Sequence, residues 1–271
     1  MKAHLFLTAC VFLMSIATSG SAAEATAPNR PWVADNKTIN ATVTDVQKGG
    51  MAAVGPHVAA LEKALARAKD SIALAAAGDA KTMYVLLNDP GDAPTDAQHE
   101  AAAKAKKTLL ADPNPYLEIA FFLASYYELD KKPADALRVI DVALALPGSD
   151  ANPHRSDLVS KRAAELGAMK RWPESLAAYD EVLKDKDLAI AVRAYLDRGR
   201  GMALYEMGRK AEARDAYLES LKLVSNDPQA KKELEMIEQS QDGGLKLPPS
   251  VNAIQVPADS APAGQSSPSK P

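Results

Sequence analysis

A histidine followed by a glutamate on a helix opens the zinc-protease pattern, in which a second histidine one turn on completes the metal site and the glutamate serves as base. Here His99-Glu100 is followed by Ala101, Ala102 and Ala103, so the second ligand is absent. Gly199-Arg200-Gly201 starts like a phosphate-cradling loop but lacks the third glycine and falls inside a helical pattern. Neither G-x-x-x-x-G-K-[ST] nor G-x-S-x-G occurs. His57, His99 and His154 read as a helix start, a polar helix face and a loop, none with a ligand partner four residues on. Adjacent carboxylates such as Asp180-Glu181 point apart on a helix and read as a solvated face rather than an acid–base pair. Cys10 is the only cysteine and lies in the apolar leader. The mature chain then has no thiol for a disulfide, a thiolate metal site or a nucleophile. No catalytic residue, metal ligand or cofactor is expected, and the chain reads as no enzyme.

Spacing points instead to binding. Ala136, Ser175 and Ala213 stand 39 and 38 residues apart. Four residues after each comes a bulky residue (Ile140, Tyr179, Tyr217), and eight after comes Leu144, Leu183 or Leu221, which is one helical face. Twelve residues before each stands Ala124, Ala163 or Gly201, and nine before stands Tyr127, Leu166 or Leu204, which is the face of a preceding helix. Two helices per unit, with small residues where they must approach closely, predict stacked helical hairpins. The expected helices are 116–129 and 132–146, 155–168 and 172–185, and 190–207 and 210–224. Pro133 and Pro173 fall in first turns, where a missing N–H costs nothing.

Small then large apolar residues late in the first helix, then Ala, then an aromatic four later, resemble the tetratricopeptide repeat (TPR) pattern W-x2-L-G-x2-Y…A-x3-F…P. The chain departs from it where Trp is expected, with Ala120, Val159 or Asp197, and its units are about four or five residues longer than the usual ~34. The extra length falls at 147–153 and 184–187, between hairpins. The resemblance implies an all-α fold, a right-handed α-solenoid of TPR-like helical hairpins with a capping helix. In that family the first helices line a concave groove that holds a peptide or partner helix. Carried onto matching positions, the groove comprises Phe121, Ser125 and Glu128; Ser160, Lys161, Ala164 and Gly167; and Arg198, Met202 and Tyr205. The last three recur at spacings of four and three, on one side of a single helix. Chaperone-binding members hold a C-terminal carboxylate with lysine and asparagine on this face. Phe121 and Ser125 stand at the first pair of those positions, which argues against a co-chaperone role.

The remaining segments frame these units. Residues 1–23 read as a signal peptide, with Lys2, an apolar run from Leu5 to Ala17, and Ser21-Ala22-Ala23 as the cleavage site. The run is too short for a stable membrane span. Lipid anchoring through Leu7-Thr8-Ala9-Cys10 is the weaker alternative, because Cys10 lies inside the run rather than after it. Residues 24–50 read as an extended linker with a candidate strand at 39–46, and Asn36-Lys37-Thr38 and Asn40-Ala41-Thr42 are acceptor sequons. Residues 51–114 read as a helical N-terminal region. In it, a helix at 51–78 and one from Thr95 to about Ala111 form a candidate degenerate repeat around an insertion at 79–94. Thr82–Leu87 is open to helix or strand. TPR-like repeats and a capping helix fill 115–241, with Leu234 and Ile237 facing back into the fold. Residues 242–271 read as a disordered Pro/Ser/Ala-rich tail.

Composition agrees with a helical binding module: 47% apolar, 5% aromatic and 25% charged residues. A net charge of −3 disfavours nucleic acid, which requires a basic surface. The expected product is exported, periplasmic or secreted. It is an adaptor that assembles or positions cell-envelope or secreted proteins, or else a non-catalytic accessory or regulatory subunit of an envelope enzyme. A third reading, an unfamiliar enzyme built on 51–114, lacks motif residues.

Overall fold

The computed structural model describes residues 30–89 and 91–240. The expected leader, with Cys10, and the tail at 242–271 lie outside the described residues. From the N-terminus come α1 (Pro31–Gly49), a 3₁₀ turn (Met51–His57), α2 (Val58–Ala66), α3 (Ala68–Ala77), β1 (Thr82–Leu87), α4 (Asp96–Lys104) and β2 (Thr108–Pro113). Three helical hairpins follow: α5 (Tyr116–Leu129) with α6 (Pro133–Leu144), α7 (Arg155–Ala168) with α8 (Trp172–Val182), and α9 (Ile190–Glu206) with α10 (Lys210–Leu223). A last helix, α11 (Pro228–Ser240), packs on α10. The chain is thus an all-α solenoid of TPR-like hairpins, with one small strand pair near its start.

The repeat is written in the backbone as well as in the side chains. Lys131, Lys170 and Gly208 occupy the left-handed region, with φ of 56°, 60° and 78°, at the same place in each hairpin. The next N–H in each case reaches back over the turn: Lys132 to the Tyr127 carbonyl at 2.8 Å, Arg171 to Leu166 at 2.8 Å and Arg209 to Leu204 at 2.9 Å. This is the Schellman closure that satisfies the last carbonyls of a helix and reverses the chain. Only the third unit uses glycine there, so the two lysines hold a conformation that costs an L-residue about 1 kcal/mol or more.

Three expectations about the N-terminal region are corrected. The stretch 24–50 is not an extended linker, for 31–49 is a helix and the candidate strand at 39–46 lies inside it. Pro31 begins that helix, and Trp32 and Ile39, each 1% exposed, anchor it in the core. Asn36, of the first sequon, is a helical residue whose side-chain amide donates to the Trp32 and Pro113 carbonyls at 3.0 and 2.9 Å. The helix expected from Thr95 to Ala111 stops at Lys104, although Thr95 and Gln98 form the capping box that starts it. Residues 108–113 instead form β2, parallel to β1 in the register Thr82↔Thr108 to Leu87↔Pro113. A parallel pair needs a crossover, which α4 supplies. Residues 51–114 are therefore not a degenerate repeat. The helices of 51–77 pack between α1, upstream, and α5, downstream, rather than pairing with a helix at 95–111.

Two polar clusters, one around the buried Asp35 and one part-exposed around Glu62, join this region to the hairpins. Asp35 on α1, 1% exposed, accepts from the Tyr116 hydroxyl at 3.1 Å and from the Arg67 guanidinium. Burial, with Asp35 beside it, pushes the Tyr116 phenol well above its ordinary range. Glu62 on α2 accepts from the Tyr127 hydroxyl at 2.7 Å and from Arg138 at 2.6 Å. Burial works to raise the Glu62 carboxyl, but these donors hold it below the usual value. One large apolar core runs from Trp32 through Leu61, Tyr116, Leu123 and Ile140 to Leu158. Two smaller clusters continue it, one around Val159, Tyr179 and Leu196, the other around Leu204, Tyr217 and Ile237.

Candidate partner-binding face

The first helices α5, α7 and α9 each present one stripe of residues at three- and four-residue spacing, and the stripes are linked side by side. On α5 the stripe is Glu118, Phe121, Ser125 and Glu128. Phe121 is half-buried, 5.6 Å from Phe122 in an edge-on arrangement and 6.1 Å from the His154 ring. Lys161 on α7 places its ammonium 5.2 Å from the Phe121 centroid and donates to Glu128 at 2.8 Å. This one lysine therefore bridges two helices, through a cation–π contact and an ion pair. Ser125 is buried, and its hydroxyl has no hydrogen-bond partner among the described residues.

On α7 the stripe is Asp157, Lys161 and Glu165. Glu165 is 6% exposed and, among the described residues, makes no hydrogen bond or salt bridge. Its carboxyl is pushed up to about 7, chiefly by burial and further by the Glu128 charge, while Lys161 works the other way. Burial likewise raises Glu118, opposed by His154. Ser160 donates to the Ser156 carbonyl within its own helix at 2.7 Å, and Ala164 is half-buried. Gly167 does not belong to this face. A β-carbon there would stand 3.2 Å from the Trp172 ring and 3.4 Å from the Ser175 hydroxyl, so it serves the contact between α7 and α8.

On α9 the stripe is Tyr195, Arg198, Met202 and Tyr205. The Arg198 guanidinium stacks 5.6 Å from the Tyr195 ring and pairs with Asp227 at 2.6 Å. Both partners of that pair are part-buried, with side chains 11% and 13% exposed. Asp227 also accepts from the Gln229 and Ala230 amides at 2.9 and 3.3 Å, which caps the first turn of α11. Arg198 thus holds the terminal helix and is not free to greet a partner. Tyr205 packs on the apolar cluster around Leu204 and Ile237, and Met202 is half-buried beside it. Of the α9 trio, Arg198 and Tyr205 are thus engaged within the fold, through Asp227 and the cluster around Leu204 and Ile237. Glu165, Tyr195 and Glu118 carry no motif in the sequence; only their places on these helical stripes could have drawn attention to them.

Gly201 behaves as a packing residue: it is buried, and a β-carbon there would meet the Tyr217 ring at 3.0–3.1 Å. Of the histidines, His57 reaches Asp45 at 2.9 Å, His99 is exposed on α4, and His154 lies 4.0 Å from Asp157. Among the described residues no group of three His, Cys, Asp or Glu could hold a metal ion, and no helix is long and apolar enough to cross a membrane.

No protein-family model matches the chain, and no curated protein matches it. Solved structures do. Among them is the NMR structure of the first TPR domain of the human RPAP3 protein, 20% identical, with a TM-score of 0.41 over 47% of this chain and 94% of that one.

Proposed function

We propose that this TPR-like chain is an exported adaptor that assembles or positions cell-envelope or secreted proteins, holding a partner segment against α5, α7 and the start of α9. The observation that carries this reading is polar burial without satisfaction. Ser125 and Glu165 are buried residues on the face of the first helices; among the described residues the Ser125 hydroxyl has no hydrogen-bond partner and Glu165 has no ion pair. Buried polar groups are normally paired, so groups left open on one continuous face mark where an incoming chain supplies the missing bonds. Phe121 provides an aromatic anchor of the kind that dominates interfaces.

Capture from the native envelope tests the proposal. The parent chain and a Phe121→Ala variant serve as baits, with Glu181→Ala on α8 as a control away from the face. A partner kept by the parent and the control but lost by Phe121→Ala supports it; equal recovery on all three baits refutes it. Recovery of one enzyme in fixed stoichiometry would instead identify the chain as an accessory subunit. Export is tested separately by intact mass, where a mature N-terminus at Glu24 is expected and one at lipidated Cys10 or at Met1 contradicts it.

A further inference from the structure

Lys161 and Arg198, the cations on the stripes of the first helices, are already spent. Lys161 is paired with Glu128 at 2.8 Å and Arg198 with Asp227 at 2.6 Å. Glu165 is left as a buried carboxylate with no salt bridge among the described residues. Its surroundings are set by every helix packed around it. Glu128 from α5 repels it and Lys161 on its own helix attracts it, while its charge is felt by the Tyr179 hydroxyl from α8 and the Tyr195 hydroxyl from α9, with Arg198 beyond. The Tyr179 hydroxyl donates to the Tyr195 hydroxyl, and neither forms a hydrogen bond with the carboxylate. Leaving an acid in such a place is costly, and an arriving cation removes that cost.

We infer that this face recognises a protein segment carrying a lysine or arginine, whose cationic head pairs with the Glu165 carboxylate beside Glu128 and the Tyr179 and Tyr195 hydroxyls. The inference rests on the adaptor reading and specifies the chemistry of the partner. Charge decides the occupant: among the described residues the stripes have no cation to spare for an acidic segment or a C-terminal carboxylate, whereas Glu165 lacks a counter-ion and suits a cation. Binding draws a proton off Glu165, so affinity rises with pH through about 7 and levels off above it.

The test uses the full chain and a library of N-acetylated, C-amidated nonapeptides. They are identical in design except for a central lysine, arginine, norleucine, citrulline or glutamate, and binding is read by fluorescence anisotropy. Lysine and arginine peptides are expected to be selected over norleucine and citrulline. Their affinity should rise about tenfold between pH 6 and pH 8, as a group with pKa near 7 goes from mostly neutral to mostly ionised. Glu165→Gln, which keeps shape and removes charge, should abolish both the selection and the pH slope, and Glu128→Gln should weaken binding less. Selection of glutamate peptides, or lysine selection unchanged in Glu165→Gln, overturns the inference. So does self-association of the chain that Glu165→Gln removes, since the occupant would then be a second copy. The adaptor reading fails separately: if Phe121→Ala still captures the envelope partner, the face itself is wrong, whereas loss with Phe121→Ala and retention with Glu165→Gln leaves the adaptor and removes only the cation.

Discussion

The Tyr179 ring on α8 lies against the bare Cα of Gly199 on α9, where an added β-carbon would fall 2.8 Å from the ring Cε1. A glycine inside an exposed helix is ordinarily improved by about 1 kcal/mol on change to alanine. Here the sign reverses, because the ring is buried and its hydroxyl is shared with Tyr195. Gly199→Ala is expected to destabilise by about 1–3 kcal/mol. Thermal melting checks this, and a variant that melts with or above the parent refutes the contact. Gly201→Arg, pressed on Tyr217, should cost at least as much.

Arg198 and Asp227 form the second test. Removing Arg198 takes the counter-ion from Asp227, which keeps its bonds from the Gln229 and Ala230 amides, at a cost of about 1–3 kcal/mol. Arg198→Ala should therefore lower the melting temperature and speed amide exchange in α11 first. Were Arg198 a surface contact for a partner, the variant would melt like the parent and only binding would suffer.

The pH dependence has a definite sign. Glu165 and Glu233 each have a carboxyl raised to about 7, chiefly by burial; Glu128 adds to the first, and Tyr217, donating to the second, opposes it. A raised acid contributes most to stability below its unfolded value near 4.5, and that contribution fades as pH climbs through 7. Glu165→Gln should melt with the parent at pH 5 and above it at pH 8, by up to about 3 kcal/mol. A variant less stable at pH 8 would show that the carboxylate has a partner within the fold.

Truncation separates the capping helix from the C-terminal tail. Ending the chain after residue 241 should leave the melting temperature in place, since the deleted segment is Pro-, Ser- and Ala-rich. Ending it before Asp227 removes the buried Ala230 and Ile237 and leaves Tyr217 uncovered. Circular dichroism melts of the two should diverge by well over a few degrees.

The hairpins were legible because the same residue types return at the same spacing, and the backbone turns at Lys131, Lys170 and Gly208 keep that spacing. The helix α1 was not, since Pro28, Pro31 and Gly49-Gly50 read as loop punctuation, while Pro31 in fact starts a helix and Gly50 ends it. Strand β2 was hidden for a different reason. The run from Ala101 to Ala111 suits a helix, and only pairing with β1 converts its second half. Glu165 could not be seen as buried, because a glutamate beside Leu166 on an amphipathic helix reads as solvent-facing. Its withdrawal from water comes from helices distant in sequence.

The apolar interior is divided unevenly, one large cluster under α1 to α6 and two small ones beyond. In mechanical terms the molecule is a cantilever with a stiff root and a compliant tip. Tension applied at the far end should strip α11 and the last hairpin well before the root yields.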